Sequence, residues 1–375
     1  MKNYPKALKR KLLNTVSQIR KELPKHTADP KRDFKRNRKL PFETLCKTIL
    51  FMSGQSLNVE LQRQFHYDPT AATTSAFVQQ RGKLLPTAFE EILRRFTYQN
   101  RPIRRWNGYT LLAADGSHVQ IPSDIHDKAT YFNSTKDGRG YNLLHLNALY
   151  DLESQVYLDA IIQDGREEHE SQALVELVDR SELTEPVILV ADRGYEAYNN
   201  MAHIEQKGWK YLIRVKDKQG LLSGLRLTGA PEFDAAFSYS LSKRLTNRIR
   251  QEPHKYRWIP KKVHFDYIGD ASDALYPISF RVVRFAVKEG LYETVITNLP
   301  ADRFPPPLLR ELYHKRWGIE TSFRDLKYTL ALTHFHAKKR PFIKQEIFSR
   351  MTLYNFASLL RLHAVFTQPE GKHLY

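Results

Sequence analysis

Hydrophobic and polar positions follow two different periods along the chain, and the period changes near residue 105. Before that point, apolar residues recur every three or four positions, which is typical of amphipathic helices. This spacing predicts a helix near the start of the chain and further helices over 41–65 and 74–98. The apolar positions of the first helix are Leu8, Leu12, Leu13, Val16 and Ile19. Residues 1–105 are therefore expected to form a small helical domain.

After residue 105, short apolar runs bounded by glycine and aspartate predict strands. These runs cover residues 109–114, 143–149, 156–162, 187–191 and 211–215. Helical spacing is found over 167–180 and 197–207. Three strands, a helix and then alternating strand and helix is an α/β order, and ligands of open α/β sheets bind beyond the strand ends. The fold class predicted for this part is α/β.

The regular pattern breaks up between about residues 217 and 277. Lys243 to Lys262 contains eight basic residues against one acidic residue, with Tyr256 and Trp258 interleaved. A β-rich insertion that holds nucleic acid by charge and stacking has this composition. A basic hairpin with its aromatic side chains packed underneath explains it equally well.

The last third of the chain returns to regular elements. Strands are predicted over 280–286 and 294–298. A long helix is expected from the three prolines at 305–307 to about residue 330, and another helix to about residue 365.

Charge narrows the class of partner. The chain of 375 residues has 59 Lys and Arg against 41 Asp and Glu, a net charge of +18. Such a balance favours a polyanion, because each neutralised phosphate releases condensed counterions. The first forty residues carry much of this excess, either as a solvated helix with a basic arm or as a direct DNA contact. Ribosome-associated and anionic-membrane proteins can be equally basic, so charge alone identifies no function.

Several classes of protein are disfavoured by what the sequence lacks. Cys46 is the only cysteine, so one chain can form neither a disulfide framework nor a cysteine-based zinc site. The first residues have no apolar signal-peptide core, and no apolar stretch is long enough to span a bilayer. No glycine-rich phosphate loop is present, so a nucleotide cofactor is not expected. We expect a cytoplasmic protein without a membrane partner.

Two aspartates each follow a predicted strand. Asp115 follows the run at 109–114, and Asp192 follows the run at 187–191. On neighbouring strands of one sheet, two such carboxylates could share a metal ion. Considered singly, each aspartate is more often a turn former or a helix cap.

A polar stripe lies along the long helix predicted after residue 307. At about 100° per residue, Tyr313, Arg316, Glu320 and Lys327 fall within roughly a 60° arc. A carboxylate on that stripe could join the two aspartates in a site for two hard cations, which prefer oxygen ligands. In isolation, Arg316 and Glu320 would be explained as a surface ion pair. Tyr313 and Lys327 could simply cover the apolar flank of the helix.

Together these residues resemble a known family. Asp115-Gly116-Ser117, Asp192-Arg193-Gly194-Tyr195 and Tyr313-x2-Arg316-x3-Glu320-x6-Lys327 are similar to the three motif regions of bacterial insertion-sequence transposases of the Asp-Asp-Glu (DDE) class. The third motif resembles the Tyr-Arg-Glu-Lys signature of the fourth insertion-sequence family, which includes the Tn-five and Tn-ten enzymes. The likeness covers roughly residues 105–365.

The resemblance implies a ribonuclease-H-like catalytic core with a β-rich insertion, preceded by a helical domain and followed by a helical tail. The implied boundaries are 1–105 for a basic DNA-binding domain, 106–216 for the first part of the core, 217–293 for the insertion, 294–335 for the last strand and catalytic helix, and 336–375 for the C-terminal helical region.

The resemblance also implies the chemistry: metal-dependent DNA cleavage and strand transfer by a cut-and-paste route at terminal inverted repeats. Asp115, Asp192 and Glu320 would be the catalytic metal ligands for two Mg²⁺ or Mn²⁺ ions, and Tyr313 would be among the residues that hold DNA. The other candidate DNA-binding residues are Arg316, Lys327, Arg193, Tyr292 and Trp258. Tyr292 and Trp258 are candidates for stacking on a flipped base if the cut end forms a hairpin.

The implied partners are double-stranded DNA, both as terminal repeats and as target, and a second copy of the chain. Pairing of two ends implies at least a homodimer on DNA, associated with the nucleoid when bound. Two alternatives remain at this point: a nuclease on the same fold, and a non-catalytic DNA-binding regulator derived from a transposase. Short inverted repeats flanking the gene would favour an active element.

Overall fold

The chain is a mixed α/β protein whose helices precede and cover one large sheet. The computed structural model describes residues 3–36, 38–133, 138, 140–216, 220–223, 225, 227, 229–269 and 273–364. In this part of the chain, no helix combines the length and apolar character needed to cross a membrane.

Five helices form the N-terminal region: α1 (Tyr4–Lys21), α2 (Phe42–Phe51), α3 (Leu57–Gln64), α4 (Thr74–Arg81) and α5 (Thr87–Asn100). The predicted apolar face of α1 is buried except for Leu13, which is half-buried. Each of the two longer helices expected from the spacing is divided in two. One division lies at residues 52–56, before the cap at Ser56, and the other at residues 82–86, where Pro86 has no backbone N–H to donate.

The sheet contains ten strands in the described residues: β1 (Thr110–Ile121), β2 (Tyr131–Phe132), β3 (Tyr141–Asp151), β4 (Val156–Asp164), β5 (Val187–Ala191), β6 (Lys210–Arg214), β7 (Phe233–Ser242), β8 (Tyr256–Trp258), β9 (Tyr276–Lys288) and β10 (Leu291–Thr297). Their order is β4-β3-β1-β5-β6-β10-β9-β7-β8, with β2 also on the outer edge of β3. β1, β5 and β6 are parallel, and β3 and β4 extend them with antiparallel pairing. On the other side, β10 pairs antiparallel with β6 and with β9, β9 pairs antiparallel with β7, and β7 pairs parallel with β8.

The remaining helices cover the two faces of this sheet. They are α6 (Glu170–Asp179), α7 (Tyr198–Gln206), α8 (Asn247–Gln251), α9 (Pro306–Lys315), α10 (Trp317–Arg324) and α11 (Arg340–His363). On one face, Ile188 and Val190 of β5 pack with Leu309 and Leu312 of α9. Because side chains alternate along a strand, the other residues of β5 face α6 and α7 in the larger core. Strand β5, at the centre of the sheet, is thus buried between two helical layers.

The C-terminal helix α11 joins the N-terminal helices to the sheet. Arg81 of α4 is 2% exposed, and its guanidinium donates to Glu346 Oε1 at 2.8 Å and to Gln345 Oε1 at 2.7 Å. On the next turns of α11, Asn355 donates to Tyr157 O of β4 at 2.7 Å. Removal of one partner from a buried ion pair strongly destabilises the fold, because the other charge is left buried and unpaired. The Arg81–Glu346 pair therefore fixes the N-terminal helices against α11.

Two sequence expectations about element ends are wrong in ways that matter for the site. Asp115 does not end its strand: β1 continues to Ile121, because residues 112–121 all pair with β3. The helix expected over 307–330 is interrupted at Arg316, which separates α9 from α10, and it ends in a π-helical turn over Asp325–Thr329.

The segment 217–293 does contain strands, as expected, but β7, β8 and β9 add to the same sheet as the parallel strands. The domain boundaries inferred from the resemblance remain predictions.

Candidate active site

The site is built where the parallel pairing of β1, β5 and β6 ends. The pairing of β1 with β5 ends at Ala114 opposite Ala191, so Asp115 and Asp192 occupy the next positions in register. The pairing of β5 with β6 places Arg214 next to Asp192 in the same way. Alternation along the strands directs these three side chains to the face that α9 covers. Arg214 Nη1 lies 3.8 Å from Asp192 Oδ1.

The polar stripe predicted on the last helix faces these strand ends. Tyr313 Oη donates to Asp192 Oδ1 at 3.1 Å. Arg316 Nη2 donates to Glu320 Oε1 at 2.6 Å, and Arg316 Nη1 lies 3.8 Å from Asp115 Oδ2. Arg316 is 3% exposed, whereas Glu320 is about one-third exposed. The guanidinium of Arg316 therefore lies between two of the three predicted carboxylates and balances their charge.

The π-helical turn that follows α10 places the last member of the stripe. Lys327 Nζ donates to Ser117 Oγ of β1 at 2.7 Å. Ser117 lies two positions after Asp115, on the same face of the strand. Burial lowers the pKa of Lys327. Its ammonium is half-buried at the edge of the site, where it can pair with an incoming anion.

Burial controls the ionisation of Asp115. Desolvation raises the pKa of this carboxyl to about 6, although the Gly116 N–H and the Arg316 guanidinium oppose the shift. The negative charges of Glu320 and Glu170 add to the increase. When carboxylates lie close together and one of them is buried, all are ionised only if a positive charge lies near them. The carboxylate oxygens of Asp115 and Glu320 already lie around the positive charge of Arg316. Hard divalent cations such as Mg²⁺ or Mn²⁺ prefer such oxygen ligands.

Two glycines of the motifs leave room for a fourth carboxylate, Glu170 of α6. A Cβ atom on Gly116 would lie 2.6 Å from Glu170 Oε1, and a Cβ atom on Gly194 would lie 2.8 Å from Glu170 Oε2. The glycine after Asp115 and the glycine two positions after Asp192 thus allow the start of α6 to approach both strand ends. This gives a packing reason for glycine in both motifs.

Sequence reasoning missed Arg214 and Glu170, and it named Ser117 in the first motif without its contact with Lys327. Arg214 could have been found, because it ends the predicted strand next to Asp192 and the rule that ligands bind at strand ends applies to it. Glu170 belongs to the charged run 167–170, which is typical of a solvated helix face. Its approach to Gly116 depends on how α6 packs, and a single sequence gives no signal of that.

The remaining residues predicted to bind DNA are Arg193, Tyr292 and Trp258. Arg193 is exposed and directly follows Asp192. Tyr292 of β10 lies against the Arg284 guanidinium, with 5.2 Å between the ring centroid and the guanidinium carbon. Trp258 is 42% exposed on β8, at the far edge of the sheet. Arg193 is thus next to the site in the chain, whereas Trp258 is remote from it in the sheet.

A family model described as the transposase DDE domain matches residues 106–356. The chain belongs to this family. It is a DDE transposase, a metal-dependent enzyme that cleaves DNA. The matched range includes every element that contributes to the site described above.

Comparisons with curated proteins and with solved structures add little to this family assignment. None of the curated proteins matches the chain significantly. Among solved structures, the chain is similar to the piggyBac transposase in a cryo-EM structure of a synaptic complex with hairpin DNA. The identity is 10% and the TM-score 0.43, with 90% of this chain and 71% of the other covered. This likeness is too weak to inform the chemistry of the transposase.

Proposed function

We propose that this transposase binds the terminal inverted repeats of an insertion sequence and moves that element by a cut-and-paste route. We place it in the fourth insertion-sequence family, on the Tyr-Arg-Glu-Lys signature, and propose that the strands around β1, β5 and β6 form a ribonuclease-H-like core. The observation that carries the proposal is the approach of that signature to Asp115 and Asp192: Tyr313 contacts Asp192, and Arg316 bridges Glu320 and Asp115.

Asp115, Asp192 and Glu320 are the residues that would hold the cations, which we propose to be two Mg²⁺ or Mn²⁺ ions. When bound, such ions make a water or a 3′-hydroxyl a better nucleophile and stabilise the leaving oxygen of the phosphodiester. The Tyr313 hydroxyl group, by donating to Asp192 Oδ1, orients that carboxylate toward the strand ends. Arg214 approaches the same oxygen and limits its rotation.

The basic residues of the signature supply the contacts to the DNA backbone. Arg316 pairs with Glu320, and its planar guanidinium can bind a phosphate bidentately once cations neutralise the carboxylates. Lys327, at the edge of the site, provides a second positive charge, and the exposed Arg193 a third. We expect these residues to position the scissile phosphate in line with the nucleophile, which is the main contribution that a protein makes to phosphoryl transfer.

Further DNA contacts are proposed away from the strand ends. The exposed Trp258 follows Arg257 on β8, and Tyr292 lies against Arg284, so both combine an aromatic face with positive charge. Base stacking on such residues is worth about 1–3 kcal/mol per base. A homodimer on DNA follows from the need to pair two ends, and it remains a proposal.

Excision in cells tests this function directly. A donor plasmid carries the DNA that flanks the gene around a selectable marker, and the transposase is supplied from a second plasmid. We expect excision by the wild type and none by Glu320→Gln. The matched control is Glu311→Gln, because Glu311 is an exposed glutamate on the neighbouring helix α9.

The outcomes separate the alternatives. Excision by the wild type and by Glu311→Gln, but not by Glu320→Gln, supports both the transposition route and the role of Glu320. Nicking without excision, independent of the flanking repeats, would favour a nuclease. Binding of the flanking DNA without excision or cleavage by the wild type would contradict the proposed function and favour a regulator.

A further inference from the structure

A second cluster of metal-ligating side chains lies on the opposite face of β1 from the triad. His118 of β1 is directly opposite His145 of β3, and the two rings meet edge to face with centroids 4.9 Å apart. Glu168, just before α6, reaches this pair: its Oε2 lies 2.8 Å from His118 Nε2 and 3.2 Å from His145 Nδ1. One ligand atom from each of these three residues lies within 4.8 Å of the other two.

His145 is the residue that an ordinary packing role leaves unexplained. It is 3% exposed, and neither of its ring nitrogens makes a hydrogen bond in the described structure. Its Nε2 lies 3.2 Å from Glu170 Oε1, on the side away from Glu168. A buried imidazole with two unbonded nitrogens is costly unless another group completes its interactions.

The arrangement of Glu170, His145 and Glu168 is the one expected around a metal-ligating histidine. Such a histidine binds the ion through one nitrogen and donates its other N–H to a carboxylate, which fixes the tautomer. Here Glu170 Oε1 lies 3.2 Å from His145 Nε2, on the side where a carboxylate partner is expected, and His145 Nδ1 lies 3.2 Å from Glu168 Oε2. His118 and Glu168 are about half exposed, so a cation can enter from solvent and keep an open coordination position.

We propose that His118, His145 and Glu168 form a binding site for a divalent transition cation such as Zn²⁺, with Glu170 orienting His145. Two imidazoles and one carboxylate favour Zn²⁺, Co²⁺ or Ni²⁺ over Mg²⁺, which prefers oxygen ligands. The site is distinct from the carboxylate triad, because the Asp115 and His118 side chains leave β1 on opposite faces. A bound ion holds the start of α6 against β1 and β3 and keeps Glu170 beside Gly116 and Gly194.

Titration with Co²⁺ tests the site without any measurement of transposition. The full-length, tag-free protein is titrated with Co²⁺ in a large excess of Mg²⁺, which occupies oxygen-rich sites, and the visible ligand-field absorption is recorded. We expect one Co²⁺ per chain, displaced by Zn²⁺. His118→Ala and Glu168→Gln should abolish this binding, and both side chains are exposed enough for the variants to fold. Glu170→Gln should weaken it by about 10- to 100-fold.

Two controls define the result that overturns the proposal. His169→Ala removes an exposed histidine next to Glu168 and should bind Co²⁺ like the wild type. Asp192→Asn alters the triad and should also bind like the wild type. The proposal is wrong if the wild type gives no ligand-field absorption, if His118→Ala retains it, or if Asp192→Asn loses it. In those cases the cluster consists of histidine–carboxylate ion pairs only, or the ion is bound at the triad.

Discussion

Replacement of Asp115 by asparagine should stabilise the metal-free protein at neutral pH, although it removes a catalytic candidate. Burial raises the pKa of Asp115 to about 6 from an ordinary value of 3.8. One pKa unit corresponds to about 1.4 kcal/mol, so the ionised carboxylate lowers the free energy of unfolding by about 3 kcal/mol. Asparagine has nearly the same shape and no charge, so it avoids this loss.

The sign of the pH dependence follows from the same shift. The folded protein holds the Asp115 proton more tightly than the unfolded chain does, so wild-type stability decreases as the pH rises from about 4 to about 6. Above about pH 7, one unit past the folded pKa, nearly the full loss is present. The difference in unfolding free energy between Asp115→Asn and wild type should grow from about 1 kcal/mol near pH 4.5 to about 3 kcal/mol near pH 7.5.

Urea unfolding of both proteins in the presence of EDTA measures this difference. Asp302→Asn is the matched control, because Asp302 is exposed, and it should change stability by less than about 0.5 kcal/mol. A variant that is no more stable than the wild type at neutral pH, or a difference that does not grow with pH, would refute the reasoning. Added Mg²⁺ should stabilise the wild type more than the variant, because the cation binds ionised carboxylates.

Three further substitutions test the packing and contacts of the site. Gly116→Ala places a Cβ 2.4 Å from His145 Nε2 on the adjacent strand β3, and it should lower the free energy of unfolding, measured by thermal unfolding, by about 1–3 kcal/mol. The control Gly54→Ala, whose Cβ would have nothing within 4 Å, should change that free energy little. Tyr313→Phe removes the hydrogen bond to Asp192, worth about 1.5–3 kcal/mol, so cleavage should slow by about tenfold or more; an unchanged rate would exclude an orienting role. Lys327→Gln should weaken DNA binding about equally for all sequences and reduce the salt-dependence slope by about 1, and a slope equal to that of the wild type would remove Lys327 from the phosphate contacts.

Much of the sheet was predictable because buried strands carry their own signal. The run at 187–191 is apolar throughout, and β5 occupies those same residues. β1 shows where the signal ends: Gly116, Ser117 and His118 have no apolar pattern, and they are in a strand because β3 pairs with them. Pairing with a distant segment is not encoded in a local period, so Asp115 was wrongly expected at a strand end.

In α9 and α10, which carry the Tyr-Arg-Glu-Lys signature, some features were likewise predictable from local spacing and others depend on tertiary contacts. Helical spacing predicted that the polar residues of the signature would share one face, and the structure does bring Tyr313 and Arg316 to Asp192 and Asp115. The spacing gives no sign of the interruption at Arg316 or of the π-helical turn that contains Lys327. Glu170 was missed because its role depends on contact with two glycines distant in sequence.

Purified protein and DNA that carries the element's own ends test directly whether the three carboxylates perform the cleavage. Cleavage in Mg²⁺ or Mn²⁺ and DNA affinity are measured in parallel for the wild type, Asp115→Ala, Asp192→Ala and Glu320→Ala. We predict that each variant loses cleavage and binds the DNA nearly as tightly as the wild type. Cleavage retained by any one of them, or loss of binding that matches the loss of cleavage in all three, would contradict the assignment.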